Sequence, residues 1–449
     1  MSDEPASPGA LVRAIAVGNH IDLRATRSEA TWVAELERIV GLAVSHLDPQ
    51  RPNLLVLTEV LGLPGALVGP RGILARRPPG TGTALGLALA GLVTSRRPWL
   101  GVALAGASLG VAVARRYLPQ SQVAMGLLAA GSADRMTRVM RQWGGVSPTR
   151  ALLLASTDAL YRPFVETLAR QARRHRTHII AGTIAPHVRR TEDPREIAAW
   201  GRAGARWTYV PTGPEVYNTA LLFGPDGRLL GRTDKVFLTE SDRKTLDLTA
   251  GRLEDVRVFQ TAAGRIGVAI SLDAFTPAYV RHLNDHGAEI VAQPDANDGP
   301  WAGYARGSGQ WQPQEWLTAT LGSLQPEYPN LRYNICPMQT GNLFDISFDG
   351  QTSIAIRRDT PTPLPTREHT YVGVDTHHDP ATGRPLLGEF LSVSPWYAED
   401  PSIANPILDL TERRRQLMGI GRELGPDGFD AGQQLESVVY ADLFAHTAR

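Results

Sequence analysis

The sequence predicts an α/β layered fold, with helices packed outside a sheet, and three observations carry that prediction. Apolar runs of strand length alternate with longer segments of helical spacing. A Pro-Asp-Gly turn joins two apolar runs in YNTALLFGPDGRLLGRTDKVFL, which sets a hairpin within the alternation. The stretch GRIGVAISLDAFTPAYVRHLNDHGAEIVAQPDA reads as strand, sharp turn, helix and second strand, and it displays Ser271 on the turn.

The elements follow in order. LVRAIAVGNH reads as a buried strand, and SEATWVAELERIVGLAVSHL has helical spacing behind a Ser/Thr-type start. NLLVLTEV is a short apolar run and therefore a strand. YRPFVETLARQARRHR reads as a helix, THIIAGTI as a strand, then come the hairpin, the strand RIGVAISL and the helix-strand pair in VRHLNDHGAEIVAQP. Residues 62–150 interrupt this pattern with an insertion rich in Gly, Ala, Leu and Arg. Beyond about residue 360, scattered prolines and charged helices such as LTERRRQLMGIGREL form an extension, 361–449, expected to wrap the body or contact a partner. The main domain is thus expected over 10–360, interrupted by the insertion.

The 449 residues are 43% hydrophobic and 20% charged, enough apolar material for a substantial core. Lys plus Arg (46) nearly balances Asp plus Glu (45), so no global field points to nucleic acid. A single cysteine, Cys336, excludes an intramolecular disulfide framework and a multi-cysteine metal site. No metal or other cofactor is expected. The N-terminal MSDEPASPGALVRA lacks a basic region followed by an apolar core, so a signal peptide is not expected and the body is placed on the cytoplasmic side.

Within the insertion, PPGTGTALGLALAGLVTS and PWLGVALAGASLGVAVA run 18 and 17 residues without a charge. As helices they span roughly 26 Å, slightly short of a bilayer core. Gly82 with Gly86, and Gly106 with Gly110, give the small-residue spacing that lets apolar helices approach closely. Residues 78–114 therefore read as a membrane hairpin or as a helical pair buried against a partner subunit. Arg pairs at 76–77, 96–97 and 115–116 give no orientation, and a spanning hairpin would put Arg96 and Arg97 outside. Shallow insertion fits better.

Three chemical groups stand at or beside the ends of expected strands: Glu59 after NLLVLT, Lys235 in GRTDKVFL and Ser271 after GRIGVAI. A carboxylate takes a nucleophile's proton, and an ammonium stabilises an oxyanion or protonates a leaving amine, so together they suit acyl transfer. Singly, each has an ordinary reading as a solvated loop Glu, a hairpin Lys or a helix-capping Ser.

In that order and setting the chain resembles the nitrilase, or carbon-nitrogen hydrolase, superfamily, over about residues 10–60 and 152–357. The strand LLVLTE is similar to the motif that closes on the family's base, which implies that role for Glu59. YNTALLFGPDGRLLGRTDKVFL resembles the approach to the catalytic lysine, implying Lys235. GRIGVAISLDAFTPAYVRHLNDHGAEIVAQPDA matches the nucleophile motif in frame at Gly264, Gly267, Asp273, Phe275, Arg281, Gly287, Ala288 and Pro294. FDGQTSI resembles a later strand, and Glu240 is the candidate supporting carboxylate. The resemblance implies a four-layer αββα sandwich, a Glu-Lys-Cys triad, a small amide or nitrile ligand and a homo-oligomer. Three departures stand out. Ser271 occupies the cysteine position, Thr58 precedes Glu59 where the family has proline, and AFTPAYV lacks the family's Phe-Pro-Glu run. Cys336 lies in another expected strand, YNICPM, and does not substitute.

A thiol near pKa ~8.5 is readily tuned to a thiolate, whereas a serine hydroxyl needs a base that removes its proton during attack. A neutral lysine serves as that base in some hydrolases, but a carboxylate beside Lys235 favours the charged form. The expectation is therefore a catalytically impaired homologue kept for binding or assembly. Two alternatives stay open: a hydrolase using Ser271, and an engineered serine that traps a ligand.

Overall fold

The computed structural model describes residues 10–69, 120–130, 132–202, 204–305, 307–344, 346–362, 373–380, 382–396, 410–428 and 436–446. Among the described residues two six-stranded sheets form the body. The strands, in chain order, are β1 Ala10–Gly18, β2 His20–Ile21, β3 Asn53–Val56, β4 His178–Ala185, β5 Val188–Thr191, β6 Thr208–Pro211, β7 Tyr217–Phe223, β8 Leu229–Asp234 and β9 Phe259–Thr261. They continue with β10 Gly264–Val268, β11 Ile290–Ala292, β12 Tyr333–Cys336, β13 Thr340–Leu343, β14 Ile346–Phe348, β15 Ser353–Arg357, β16 Gly388–Val393 and β17 Ser437–Ala445. One sheet runs β17-β1-β3-β4-β7-β8 and the other β16-β15-β12-β11-β10-β9.

Alternation along the strands decides the layering. In the first sheet Val12, Ala14 and Ala16, with Leu54 and Val56, point to one face; there they meet Ile266, Val268, Ile290 and Ile335 of the second sheet. The intervening Ile15, Val17, Leu55 and Ile179 point the other way, onto Trp32, Leu36 and Ile39 of helix Glu29–Ala43 and Phe164 and Leu168 of helix Thr157–His175. Strands buried on both faces need apolar residues at nearly every position, which is why they read as continuous runs. The outer face of the second sheet is covered by helix Pro277–Asp285, through Tyr279, Val280 and Leu283, and by helix Gln312–Gly322, through Leu317 and Leu321. Four layers result, αββα, each sheet shielded by helices.

Local chemistry fixes the elements. Ser28 caps helix Glu29–Ala43 by accepting from the Thr31 N–H, and the Thr31 hydroxyl accepts from the Ser28 N–H in return. Such a cap contributes about 1 kcal/mol. The apolar positions Trp32, Leu36, Ile39, Val40 and Ala43 form one stripe, the face laid on the sheet. At Gly267 an added Cβ would press on Leu283 and Ala288, so glycine lets helix Pro277–Asp285 sit close on β10.

Residues 120–150 of the insertion form helices Gln120–Ala130, Ala133–Gln142 and, at their end, Pro148–Ala155, which pack into an apolar cluster with Ile184 and Leu248 of the body. The proposed membrane segment 78–114 lies outside the described residues. Among the described residues no helix is long and apolar enough to cross a membrane. The C-terminal extension supplies an edge strand to each sheet. β16 pairs antiparallel with β15, and β17 pairs antiparallel with β1 over its whole length, from Ala10 opposite Ala445 to Gly18 opposite Ser437.

Candidate active site

Glu59 lies three residues beyond the end of β3. Its backbone crosses β4 at Gly182, where a Cβ would collide with the Glu59 main chain. The Gly182 N–H donates to the Thr58 carbonyl (3.0 Å), and the Gly62 N–H donates to the Gly182 carbonyl (3.1 Å). The buried Thr58 hydroxyl sits between Asn19 Oδ1 (2.7 Å) and Gln339 Oε1 (2.5 Å). Threonine thus ties the segment before Glu59 to two buried amides, work that a proline ring has no hydroxyl to do.

Lys235 follows β8, and its N–H donates to the Asn218 carbonyl of β7 (2.8 Å). Its Nζ lies 2.7 Å from Glu59 Oε1 and 3.0 Å from Asp242 Oδ2, with the side chain buried. Asn218 Nδ2 also donates to Glu59 Oε1 (2.7 Å). Burial pulls the Lys235 pKa down, but Glu59 and Asp242 more than offset it, so the side chain stays an ammonium. That removes it as a neutral base. Burial pushes the Glu59 carboxyl above the ordinary glutamate range, against the pull of Lys235.

Ser271 opens a short 3-10 turn after β10, with φ 49°, a left-handed conformation that costs a non-glycine residue roughly 1–2 kcal/mol. Neighbours hold it there. Its N–H donates to the Pro294 carbonyl (3.2 Å), and its carbonyl accepts from the Ala274 N–H (2.9 Å). Asp273 ties this turn to the lysine. Its carboxylate accepts from the N–H groups of Ile270 (3.3 Å), Val236 (3.1 Å) and Phe237 (2.8 Å), the residues flanking Ser271 and Lys235. Burial pushes the Asp273 carboxyl up to about 7, against those donors and the Lys235 charge.

Glu59, Lys235 and Ser271 line one cavity of about 110 Å³, together with Asn218 and Asp242. The Ser271 hydroxyl has no hydrogen-bond partner among the described residues, so it is available to a ligand. A wider cleft of about 510 Å³ lies elsewhere, beside β8 and β9, and brings together His187, Arg232 and Asp234 without any of the three.

Glu240 is not brought to the cavity: it is exposed and paired with Lys244 (2.6 Å). The carboxylate beside the lysine belongs to Asp242, two residues on. It is fixed by a reciprocal pair, the Thr239 N–H donating to Asp242 Oδ2 (3.0 Å) and the Asp242 N–H to the Thr239 hydroxyl (3.1 Å). The Thr-x-x-Asp spacing is a capping signature that marks this residue in the sequence. Asp295, adjoining the Pro294 carbonyl that receives Ser271, carries no such signal. Burial, joined by the charge of Glu59, pushes its carboxyl well above the ordinary range. Cys336 Sγ lies 3.2 Å from Asp295 Oδ2, and burial pushes the thiol up, which makes it unreactive packing. Among the described residues no cluster of His, Cys, Asp and Glu suits a metal ion.

Residues 143–355 match the family model described as carbon-nitrogen hydrolase. The chain is 24% identical over 191 residues to the deaminated glutathione amidase of Yersinia enterocolitica, covering 40% of this chain and 64% of that protein. It is 29% identical over 143 residues to nitrilase 3 of Arabidopsis thaliana, covering 32% and 34%. To a probable hydrolase of Bacillus subtilis it is 35% identical over 86 residues, covering 19% and 16%. The chain thus spans less than two thirds of each of these relatives. Among solved structures, a carbon-nitrogen hydrolase from Helicobacter pylori aligns at TM-score 0.43 with 13% identity, over 77% of this chain and 82% of that one. An amidase from Nesterenkonia sp. aligns at TM-score 0.39 with 12% identity, over 79% and 85%. The family match over residues 143–355, within a body of two facing sheets with helices outside, makes this part of the chain similar to the carbon-nitrogen hydrolases of the nitrilase superfamily.

Proposed function

We propose that the Glu59–Lys235–Ser271 cavity binds a small amide or nitrile, and that Ser271, standing where the family carries cysteine, makes hydrolysis of its C–N bond slow or absent. The observation that carries this reading is the state of the base. Glu59 Oε1 already receives Lys235 and Asn218, and no hydrogen bond joins Glu59 to the Ser271 hydroxyl. A thiol tolerates a distant base because the thiolate forms beforehand; a hydroxyl must lose its proton during attack.

The raised basicity of Glu59 favours a second reading, a slow amidase. In it the Ser271 Oγ attacks the carbonyl carbon while its proton passes to Glu59, and the oxyanion forms near the Lys235 ammonium. Glu59 returns the proton to the departing amine, and water then cleaves the seryl ester.

Turnover of a small-amide and nitrile panel by the native protein, Ser271→Cys and Glu59→Gln separates the two. Ser271→Cys is expected to raise kcat/KM by about 100-fold or more over the native chain. Native turnover equal to that of Ser271→Cys, and abolished by Glu59→Gln, sinks the impaired reading. Roles in assembly and at a membrane belong to the same proposal. Fractionation with and without residues 78–114 tests the latter, and detergent-free solubility of both forms overturns it.

A further inference from the structure

The insertion helices carry a basic surface on the side where the chain leaves the body. The structure describes the chain up to Gly69 and again from Gln120. Ala66 and Leu67, ahead of that point, and Leu128, after it, share one apolar cluster with Met136, Val139 and Trp200. Departure, return and the inner face of helix Ala133–Gln142 therefore lie together. The sequence between them holds the two uncharged runs of 18 and 17 residues.

Helix Ala133–Gln142 buries Met136 and Val139, and its other side is basic. Arg135, Arg138 and Arg141 recur every three residues, a spacing that makes them neighbours on the helix surface. Arg135 donates to the Gly201 carbonyl (2.6 Å), and the Trp143 ring meets that of Trp200 (centroids 5.9 Å). Arg202 and Arg206 follow on that loop, so five arginines gather here. The acids beside them are Asp134, on the helix, and Glu29, which pairs with Arg202. Asp158, whose charge also reaches Arg135, is buried and held by Arg162 (2.7 Å). Arg138, Arg141 and Arg206 are exposed, and none has a hydrogen bond or ion pair among the described residues. Met140, beside Arg141, is 43% exposed.

Building on the membrane reading of this chain, we propose that the face formed by helix Ala133–Gln142 with Arg202 and Arg206 docks on an anionic lipid bilayer. Anionic headgroups attract each arginine that comes within a Debye length of them. Met140 and the half-buried Trp143 suit the boundary between headgroups and acyl chains. Nucleic acid offers the same charge but no apolar layer for Met140 or for the uncharged runs. Docked in this way, the body has the chain's departure and return on its lipid side.

Flotation of the full chain with vesicles tests this. One set is phosphatidylcholine alone, and the other is an equal mixture of phosphatidylcholine and phosphatidylglycerol. The native protein is expected to bind the mixed vesicles at least about tenfold tighter, and added salt to weaken that binding. Arg138→Glu with Arg141→Glu, its melting temperature checked against the native value, is expected to remove most of the difference. Its binding to phosphatidylcholine alone is expected to match the native protein's. Asp134→Lys, at the start of the same helix, is expected to tighten binding to the mixed vesicles, and it decides the matter if the double variant does not fold. Equal binding of the native protein to both vesicles overturns the inference, as does a preference that neither variant moves. A short DNA duplex bound as tightly as the mixed vesicles overturns the lipid assignment in favour of a general polyanion site. Absence of binding to either vesicle overturns the membrane reading itself, a result distinct from equal binding.

Discussion

At the scale of single residues, Lys235 is the group on which the site depends. It is buried, and it is the shared partner of Glu59 and Asp242. Removing one member of a buried ion pair leaves its partner uncompensated and costs about 3–5 kcal/mol. Lys235→Met is therefore expected to lower stability by about that amount in chemical denaturation, and adding Glu59→Gln with Asp242→Asn to recover most of it. Unchanged stability in Lys235→Met alone would show that the ammonium does not hold the two side chains together. Glu59, Lys235 and Ser271 stand out in the sequence through their order and setting, which carry the resemblance to the nitrilase superfamily; a place at or beside a strand end alone leaves each an ordinary reading. Asp242 announces itself only through its Thr-x-x-Asp turn. Glu240 lies closer in sequence to the lysine, yet the turn directs it to solvent, where Lys244 pairs with it. Asp295 leaves no local trace, since its meaning depends on which strands lie beside it.

At the scale of elements, the end of β17 is fastened to the second sheet by Glu289, which precedes β11. Its side chain is fully buried, accepts from the His446 N–H (3.0 Å), contacts the His446 ring and lies 3.3 Å from Arg265. Arg332 stands 3.8 Å away. Burial raises the Glu289 pKa, but His446 and Arg265 more than offset it and hold the carboxyl below the ordinary glutamate value. A depressed folded pKa contributes stability that is present above the unfolded value of about 4.3, and that is lost as pH falls through the folded value below it. Melting temperatures taken from pH 7 down to pH 3 are expected to fall more steeply for the native protein than for Glu289→Gln. Parallel slopes would remove this pair from the acid response. The strands and helices of the body were legible from periodicity. The strands after residue 360 are less legible, although Val439, Ala441, Leu443 and Ala445 alternate as a half-buried strand does. Nothing local states which edge such a strand joins.

For the whole molecule, the layered α/β class follows from the alternation of elements, because runs buried on both faces leave only a sheet between helices. The pairing of two such sheets came from resemblance, not from periodicity. A pattern along the chain does not say whether its inward face meets a helix or another sheet. The extension beyond 360 is also structural in a way its composition conceals, since β17 completes the first sheet at β1. Deleting residues 437–449 is expected to leave insoluble protein, as judged by the soluble fraction after expression. Recovery of a soluble, cooperatively melting truncated chain would show that β1 tolerates an open edge. Ala10 pairs with Ala445, so β1 finds this neighbour only after the whole segment between them has been made. During synthesis, at roughly 5–20 residues per second, β1 waits while the intervening chain leaves the ribosome. Its outer edge stays unpaired for that interval, a template for other nascent chains. A stop codon ahead of residue 437 would therefore damage β1 as well as remove β17.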